Sequence, residues 1–574
     1  MNKTILLFFF AFLCKTLVMG QGNFKETDQP NPQLTDLLLN YQADQGSLSR
    51  FYFVENAPER RERLKTLVKD YELRLSKINF NSLNTGSKVD YILFNRNLKE
   101  ALYQLDLEEK EYNQLKTWFP FADSVYQIEK ARRRGNVPDS RAIALQFSDI
   151  SKQLMALKKQ LKLDSLMSKD LAIRGENTAR GLIDALKSVY EFYNGYDPQF
   201  TWWIPKPYAR LDSLLNDYAA TFKKSGKNLK IQKDDGSGII GNPIGRDELN
   251  RRLQFEMIPY TPEELVDIAN KEFAWCDAEM LKASKEMGLG NNWKAALEKL
   301  KNLYVLPSQQ PDAMVKIYQE SIDFLNKNDL ITIPPLAEET WRMIMMTPER
   351  QLVNPFFTGG EEFSVSYPTN TMTEEQKLMS MRGNNPHFSR ATVHHELIPG
   401  HALQEFMTYR YKNYRHFETP FWIEGWALYW EMLLYDLNFP RSAEDRVGML
   451  FWRMHRCARI IFSLNYHTGK WTPRECIDFL INRVGHEPAN AEGEVRRSFV
   501  GGYDPLYQIA YMIGGLQIRA MKNELVDTKK MTYKQFHDGF MQQNMLPIEM
   551  VRAILTNQPL PKDFKSNWRF YKLK

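Results

Sequence analysis

Apolar residues at spacings of three and four, repeated over long stretches of the first half, constrain the fold of this chain most strongly. The clearest stretches are Arg60–Leu75, Val89–Trp118 and Ser140–Leu166, in which charged residues fill the positions between the apolar ones. This period places an apolar stripe along a helix, and the stripe must be buried against another element. Thr261 and Thr373 open further helices as capping boxes. The sequence therefore predicts a mainly α fold of long packed helices.

The pattern changes between residues 329 and 370, where two short segments look like strands. Leu330–Ile333 is a short run rich in β-branched residues, and Phe363–Tyr367 alternates strictly between apolar and polar residues. The segments are bounded by Pro334, Pro335 and Pro368, so the sheet must be small and have edges. We expect a small antiparallel sheet.

The N-terminus has the layout of a secretory signal peptide. Lys3 precedes the apolar run Ile5–Cys14, and Gly20 supplies a small residue at the cleavage point. The run is too short to span a bilayer, so we expect residues 1–20 to be removed and the mature protein to be periplasmic or extracellular, without a membrane span. The alternative is an uncleaved or lipidated form, although the residues around Cys14 make a poor lipidation site.

The rest of the chain divides by pattern into two parts that would form one continuous fold around a cleft. These are an N-terminal helical part, residues 21–250, and a catalytic helical part, residues 251–574. A loop rich in lysine, aspartate and glycine covers residues 224–246. Its segment Gly236–Gly241 fits the dinucleotide fingerprint formally, but no buried strand precedes it and Pro243 follows soon after. We therefore interpret it as a surface or substrate-facing loop.

Composition narrows the classes of function. Hydrophobic residues make up 43% of the 574 residues and charged residues 25%, as in ordinary globular proteins. The net charge of +6 falls to +4 once the two lysines of residues 1–20 are removed, and no basic run is dense enough to indicate nucleic acid as a partner. Cys276, Cys457 and Cys476 remain, too few for a disulfide framework. Either Cys457 and Cys476 form one bridge or all three are buried free thiols.

All nine histidines lie at or after residue 387, and residues 394–404 read His-His-Glu-Leu-Ile-Pro-Gly-His-Ala-Leu-Gln. Histidine is the commonest metal ligand among side chains. In the zinc-protease motif, two histidines four residues apart bind zinc and a glutamate after the first acts as general base. His395 and His401 are six residues apart, so the motif does not fit a regular helix.

The two extra residues predict a local change of structure. Residues four apart on a helix differ by about 40°, whereas His395 and His401 would differ by about 120°. Pro399 cannot donate a backbone hydrogen bond, and Gly400 accepts conformations that other residues avoid. We therefore expect the helix to break between Ile398 and His401, which would turn His401 back beside His395.

His394 and His401 form a competing pair, because seven residues place them on one helical face. They would lie about 10 Å apart along the axis, too far to share an ion about 2 Å from each nitrogen. We favour His395 and His401 as metal ligands, with Glu396 as the general base facing an open metal position.

A catalytic zinc needs a third protein ligand. Glu424, in the aromatic-rich stretch Trp422–Glu431, is the best candidate, since it follows His401 closely enough for a turn and an antiparallel helix. Glu431 and Gln404 would orient the histidine ligands by hydrogen bonds. Any one of these histidines and glutamates, taken alone, would be interpreted as a structural residue, but together they predict a metal site.

The segment His395–Gln404 followed by Glu424–Tyr429 resembles the bacterial family catalogued as domain of unknown function 885 (DUF885). That family carries His-Glu-x-x-Pro-Gly-His-x-x-Gln and Glu-Gly-Trp-Ala-x-Tyr, and it is grouped with the gluzincin metallopeptidases. The Glu-Gly-Trp-Ala segment is also similar to Asn-Glu-Gly-Phe-Ala of zinc aminopeptidases, whose glutamate binds zinc. The resemblance implies that zinc is the cofactor and that Glu424 is the third ligand.

The resemblance also implies a large helical fold like that of the thimet-oligopeptidase and angiotensin-converting-enzyme group, with the small antiparallel sheet near the active site. Ser463, Asn465 and Met512 stand where the family usually has Asp, Gly and Lys. These departures bear on substrate preference more than on the zinc ligands.

A tetrahedral oxyanion would need a hydrogen-bond donor besides the metal. Tyr503, Tyr507 and Tyr511 recur every four residues and would share one helical face, where core packing is the alternative role. We take Tyr511 as the first candidate donor and His467 as the second.

Substrate binding has three candidate residues and one candidate strand. Arg496 and Arg497 would hold a substrate carboxylate, with solvated surface charge as the alternative, and Tyr507 would contact the substrate. The edge strand Glu362–Tyr367 would pair with an extended peptide.

The sequence therefore predicts an exported zinc peptidase that hydrolyses short peptides. The alternatives are a zinc hydrolase for another amide or ester and a non-catalytic exported binding protein. Metal content separates the last alternative from the other two.

Overall fold

The computed structural model describes residues 28–136, 138–163, 167–225, 234–353, 357–366 and 368–573. The predicted signal peptide, residues 1–20, and Tyr367 of the predicted strand lie outside these ranges. The described residues form two compact units, one made of Pro30–Ser82 and Leu93–Ile231, the other of Leu83–Ile92, Gln232–Lys574 and the described end of Met1–Gln29. Residues 234–250 thus belong with the C-terminal helices, whereas the sequence placed the boundary at residue 250.

The first unit is entirely helical in the part that the structure describes. Its helices are α1 (Pro32–Phe51), α2 (Pro58–Ser76), α3 (Thr85–Leu115, which begins in the second unit), α4 (Ala122–Arg132), α5 (Ser140–Leu163), α6 (Lys169–Tyr193), α7 (Pro198–Trp203) and α8 (Pro205–Ser225). Short 3-10 turns cover Phe80–Ser82 and Lys116–Trp118. Over their described residues the long periodic segments are therefore helices as predicted, and the apolar faces of α5, α6 and α8 meet in one core, where Phe119 stacks on Phe222 with 5.3 Å between ring centroids.

The second unit is also mainly helical. Its helices are α9 (Arg246–Phe255), α10 (Pro262–Glu286), α11 (Trp293–Lys301), α12 (Gln310–Lys327), α13 (Pro335–Thr340), α14 (Pro348–Val353), α15 (Glu374–Gly383), α16 (Pro386–Glu396), α17 (His401–Thr408), α18 (Pro420–Asp436), α19 (Ala443–His467), α20 (Pro473–Phe479), α21 (Pro488–Val500), α22 (Tyr507–Leu525), α23 (Tyr533–Met541) and α24 (Ile548–Leu555). Pro307–Gln309 is a 3-10 turn and Leu480–Val484 a π-helical turn. Thr261 and Thr373 make the predicted capping boxes of α10 and α15.

The small sheet differs from the prediction in its partner and its direction. Strands β1 (Arg342–Met345) and β2 (Glu362–Val365) pair in parallel, not antiparallel. Leu330–Ile333, predicted as a strand, has no regular structure. Sixteen residues that include α14 separate β1 from β2, enough chain for the crossover that parallel pairing requires.

Helices α18, α19 and α22 form the core that carries the site. Trp422, Trp426 and Trp430 recur every four residues on α18 and are completely buried. Each such ring removes about 150–250 Å² of surface from water, so this face of α18 is firmly anchored. Gly425 of α18 and Gly514 of α22 lie where the two helices touch, and a Cβ on Gly514 would stand 2.2 Å from the Phe421 carbonyl oxygen.

The three cysteines are free and buried, so Cys457 and Cys476 do not form a bridge. Across the described residues, no helix combines the length and the apolar character needed to cross a bilayer.

Candidate metal centre

The helix breaks where the sequence predicted. Helix α16 ends at Glu396 and α17 begins at His401. The Gly400 amide donates to the His394 carbonyl, six residues back instead of the helical four, so the break absorbs the two extra residues. A Cβ on Gly400 would lie 1.8 Å from the His395 carbonyl oxygen, which leaves no room for a side chain.

The break brings His395 and His401 together and leaves His394 elsewhere. The His395 and His401 ring centroids are 4.9 Å apart. The His394 ring is completely buried against Phe439, and burial lowers its pKa to about 3. Of the two histidine pairs that the sequence allowed, the structure brings together His395 and His401.

Glu424 reaches the same point from α18. Its Oε2 atom lies 3.4 Å from His401 Nε2 and 3.7 Å from His395 Nε2. That buried oxygen has no hydrogen-bond partner among the described residues, although its pKa is held well below the usual range by the two imidazoles against the effect of burial. An ionised, buried and unpartnered oxygen points to a cation as its missing partner.

Glu396 is the second carboxylate beside the histidines. His395, Glu396 and His401 offer possible ligand atoms within 4.8 Å of one another. Glu424 is the better-placed candidate ligand of the two carboxylates, because its Oε2 faces both imidazoles, whereas Glu396 approaches the pair through a 3.8 Å contact between its Oε1 and His395 Nε2. Burial raises the pKa of Glu396, against the opposing effect of the histidines.

Hydrogen bonds on the far side of each ring fix the histidine orientations. His395 Nδ1 is 2.7 Å from Glu431 Oε1, and His401 Nδ1 is 3.2 Å from Gln404 Oε1. With Nδ1 of each ring engaged in this way, Nε2 is the ring nitrogen left to face Glu424 and to bind an ion. Gln404 is itself fixed, since its amide nitrogen donates to the Trp422 carbonyl at 3.1 Å.

The electrostatics of this cluster favour a cation. Burial opposes charge on His395, yet the neighbouring carboxylates of Glu396, Glu424 and Glu431 raise its pKa to about 9. Burial likewise opposes ionisation of Glu431, but Arg456 and His395 lower its pKa to about 2. The cluster therefore concentrates negative charge around two imidazoles.

The donor set fits a zinc ion. Two imidazole nitrogens and one carboxylate oxygen form a common ligand set for catalytic zinc. Ligand atoms about 2.0–2.2 Å from one tetrahedral ion lie about 3.4 Å from each other. The separations of 3.4 and 3.7 Å between Glu424 Oε2 and the histidine nitrogens match this geometry.

The tyrosines of α22 approach the same carboxylate. The Tyr507 hydroxyl donates to Glu424 Oε1, and the Tyr511 hydroxyl donates to the Tyr507 oxygen at 3.3 Å. Tyr507 thus orients Glu424. Burial and Glu424 raise the pKa of Tyr511 to about 12, so its hydroxyl stays protonated and able to donate at neutral pH.

The approach of α22 to α18 depends on Gly425 and Gly514. We expect Gly514→Ala to push the helices apart, weaken the contact between Tyr507 and Glu424, and cost about 1–3 kcal/mol of stability. Urea denaturation would measure the cost. Gly539→Ala is the matched control, because its Cβ would meet only the flexible end of Leu555 at 3.3 Å. Equal unfolding midpoints for the two variants would contradict this account of the helix contact.

A cavity of about 240 Å³ opens onto the candidate metal ligands. Tyr503, Tyr507, Tyr511 and Arg497 line it, in addition to His395, Glu396, His401 and Glu424. Arg496 and His467 do not. Arg496 donates to the Ser237 and Gly238 carbonyl oxygens and pairs with Glu492, while His467 is buried against Tyr466 and Phe499 at the end of α19.

Sequence reasoning missed several residues of this region. Arg456 and Arg459 line the cavity, and their spacing of three, which places both on one face of the helix, was the signal that could have found them. Trp426 Nε1 donates to the Pro399 carbonyl at 2.8 Å and so ties α18 to the helix break. Gly359 lies against Glu396, where a Cβ would come within 2.2 Å of the Glu396 carbonyl oxygen.

Comparison with protein-family models identifies the family of this chain. The model of the family described as "Bacterial protein of unknown function (DUF885)" matches residues 53–555. The chain belongs to this family. No curated protein matches the sequence of this DUF885 member significantly.

Two solved structures share the fold of this DUF885 chain. One, from Shewanella oneidensis, is described as "a putative lipoprotein of unknown function"; it is 18% identical, with a TM-score of 0.64, and the match covers 91% of this chain and 99% of that one. The other, described as "the putative lipoprotein from Colwellia psychrerythraea", is 14% identical, with a TM-score of 0.56 and coverage of 92% and 98%. At these identities the similarity shows the fold alone.

Proposed function

We propose that this protein is an exported zinc peptidase that hydrolyses short peptides. The observation that carries the proposal is the convergence of His395 Nε2, His401 Nε2 and the unpartnered Glu424 Oε2 on one point beside Glu396. A glutamate on the helix turn after the first histidine is the arrangement of the His-Glu zinc peptidases. The gluzincin assignment rests on this arrangement and on the Glu-Gly-Trp segment.

His395, His401 and Glu424 would hold the ion, while Glu431, Gln404 and Tyr507 orient them. A zinc ion bound there supplies Lewis acidity and lowers the pKa of a water molecule at the site. Glu396 takes a proton from the attacking water and passes it to the leaving amine nitrogen. The raised pKa of Glu396 suits a group that must both accept and release a proton.

Tyr511 stabilises the developing oxyanion in this proposal. It lines the cavity, its hydroxyl is protonated at neutral pH, and its ring stacks on His395 with 6.2 Å between centroids. The cavity, at about 240 Å³, is smaller than the roughly 300–1,000 Å³ of pockets for drug-sized ligands, which favours a short peptide over a folded protein.

Export rests on the N-terminal sequence. Lys3 followed by the apolar run Ile5–Cys14 is typical of a signal peptide. The two structural relatives are each described as a "putative lipoprotein", a class of exported proteins. We propose cleavage after Gly20 and release into the periplasm or medium, rather than lipidation at Cys14.

The test is purification of the mature protein, followed by metal analysis and a panel of free and end-blocked peptides. We expect an N-terminus at residue 21, one zinc per chain, and peptide hydrolysis that a chelator abolishes and added zinc restores. Lipid on Cys14 would contradict only the proposed cleavage after Gly20 and release, and would leave export and the peptidase in place. A zinc-loaded protein that cleaves esters or other amides but no peptide would reject the peptidase, and a protein that binds no zinc would reject the whole assignment.

A further inference from the structure

Four aromatic side chains of the first unit are exposed at the end of α6 and on α7. Tyr196 is 87% exposed and Trp202 is 81% exposed, and the rings of Phe192 and Trp203 are exposed as well. We call these four side chains the aromatic tip. Tryptophan rings are highly buried on average in folded proteins, so a group of exposed rings within one short segment is unusual. Exposed apolar patches of this kind mark surfaces that bind a partner.

The turn between α6 and α7 brings the exposed rings together. The Gly195 amide donates to the Thr201 hydroxyl at 2.8 Å. The residues that directly follow these two, Tyr196 and Trp202, therefore lie close to each other. The aromatic tip is thus one patch of surface and not a set of scattered side chains.

The support beneath the aromatic tip is buried. Tyr193 and Phe200 belong to the same segment, and both are buried against each other with 5.3 Å between ring centroids. The Tyr193 hydroxyl donates to the Asn136 carbonyl oxygen, which ties the end of α6 to the turn after α4. The exposed rings therefore project from a well-packed support.

Basic side chains flank the aromatic tip. Arg132 Cζ lies 5.8 Å from the centroid of the Phe192 ring, and Arg141 Cζ lies 5.8 Å from that of Trp203. Lys206 follows Trp203 by three residues, at the start of α8. The rings are therefore bordered by cations from α4, α5 and α8.

Three of the cations around the aromatic tip have no carboxylate partner. A Cβ on Gly135 would be 3.8 Å from the Phe192 ring, which places the adjacent Arg134 beside the tip. Arg134, Arg141 and Lys206 are exposed, and none of them forms an ion pair within the described part of the chain. Their charges are therefore available to an external partner.

Four carboxylates close to the tip are already engaged. Glu129 pairs with two arginines, at 3.3 and 2.5 Å, and Glu191 pairs with Lys187 at 3.8 Å. Asp139 and Asp197 accept hydrogen bonds from backbone amides, at 3.0 and 2.7 Å, at the N-termini of α5 and α7. The positive end of a helix offsets a carboxylate placed there. The surface around the aromatic tip therefore carries uncompensated positive charge.

An anionic lipid surface fits this combination of rings and cations. Tryptophan and tyrosine are enriched at the level of lipid headgroups, where one end of the ring is apolar and the other is wet. Lysine and arginine beside them are attracted to anionic headgroups. A protein partner would have to supply a fitted pocket for each projecting ring, whereas mobile headgroups admit the rings without a matching shape. Attachment of this kind needs no spanning helix.

We propose that the aromatic tip binds an anionic phospholipid surface. Tyr196 and Trp202 enter the headgroup layer, while Arg134, Arg141 and Lys206 face the phosphates. The inference goes beyond the proposed peptidase function, since it involves neither the metal ligands nor the cavity. It gives an exported form of the protein a peripheral attachment to a membrane.

Sedimentation with lipid vesicles tests the proposal. Protein that starts at residue 21 is mixed with vesicles of phosphatidylcholine alone, or of equal parts phosphatidylcholine and phosphatidylglycerol. We expect binding to the anionic vesicles to be on the order of 100-fold tighter, since each unpaired cation contributes roughly fivefold. Because the cations are exposed, the preference should fall as the salt concentration rises.

Removal of the two most exposed rings should weaken binding. We expect the double variant Tyr196→Ala/Trp202→Ala to bind anionic vesicles at least about 10-fold more weakly, because binding scales with the apolar area that enters the lipid. Ile173→Ala is the matched control, since Ile173 is exposed on α6 about 28 Å before Phe192 along the helix. Circular dichroism would show that both variants are folded.

Removal of one cation should reduce the preference for anionic lipid. We expect Arg141→Gln to lower it roughly fivefold and Arg141→Lys, which keeps the charge, to retain it. Lys159→Gln is the control, because Lys159 is exposed on the same helix about 27 Å from Arg141.

Three results would overturn the proposal. They are no binding to either kind of vesicle, equal binding to both, and a preference for anionic vesicles that persists unchanged in the double variant. A dimer of the wild-type protein that the double variant loses would instead assign the aromatic tip to self-association.

The two proposals fail independently. Zinc binding and peptide hydrolysis should be unchanged in every variant of the aromatic tip. Absence of peptide hydrolysis in the wild-type protein would reject the peptidase and leave the vesicle result in place.

Discussion

Glu396→Gln is expected to keep zinc bound and to lower the turnover of peptides by at least about 1,000-fold, within the range that positioned general acid–base groups supply. Glutamine has nearly the same shape, so the contact with Gly359 and the cavity wall should persist. It cannot take a proton from the attacking water, and the reaction loses its proton acceptor.

The measurement pairs steady-state hydrolysis with zinc analysis of the same preparation. Glu418→Gln is the control, because Glu418 is exposed in the loop before α18 and should affect neither quantity. Full activity of Glu396→Gln with zinc bound would reject Glu396 as the base. Loss of zinc in that variant would instead indicate that Glu396 is a ligand, as its position within 4.8 Å of the histidine nitrogens allows.

The second large effect is expected from removing one of the proposed zinc ligands, which should lower the affinity for zinc. We expect His401→Ala and Glu424→Ala to weaken zinc binding by more than about 100-fold, beyond the 10–100-fold typical of an outer hydrogen-bond partner. Glu431→Gln should fall within that smaller range, because it leaves all three ligands and replaces the charged acceptor that contacts His395 Nδ1 and Arg456 by a neutral amide.

Competition with a chromophoric chelator would measure the zinc affinity of each variant, and circular dichroism would show that each variant is folded. His416→Ala is the control, since His416 is exposed and lies outside the cavity. Wild-type zinc affinity in both His401→Ala and Glu424→Ala would show that the ligand assignment is wrong.

The helices could be read from the sequence because their causes are local. Thr261 bonds to an amide three residues away, and the stripes of α2, α3 and α5 repeat within each helix. The break before His401 was also local, since Pro399 and Gly400 act on the carbonyl groups of the preceding turn.

The sheet was predicted wrongly because its partner was not visible in the local pattern. Arg342–Met345 shows no alternation, yet it pairs with Glu362–Val365. Leu330–Ile333 has β-branched residues but no strand to pair with among the described residues. The β-strand propensity of a residue indicates that it fits a half-buried position in a sheet, and it does not indicate which segment will pair with it.

The adjacent residues Arg496 and Arg497 show a second limit of prediction from sequence. The side chains of neighbouring residues on a helix point about 100° apart. Arg496 and Arg497 could therefore hold the same ligand only if it lay between the directions of their two side chains. Helix α21 directs Arg497 to the cavity and Arg496 to the backbone at Ser237 and Gly238.

The sequence alone thus determined the helical class, the break at Pro399-Gly400 and the candidate ligands His395, His401 and Glu424, because their signals lie within a few turns of chain. Only the tertiary structure decided that Tyr507 bonds to Glu424 and that Arg459 and Arg497 share Glu494 beside the cavity. Those contacts join helices far apart in sequence, and they depend on packing such as the approach of Gly425 to Gly514. Packing of that kind is set by the whole core, and no local pattern encodes it.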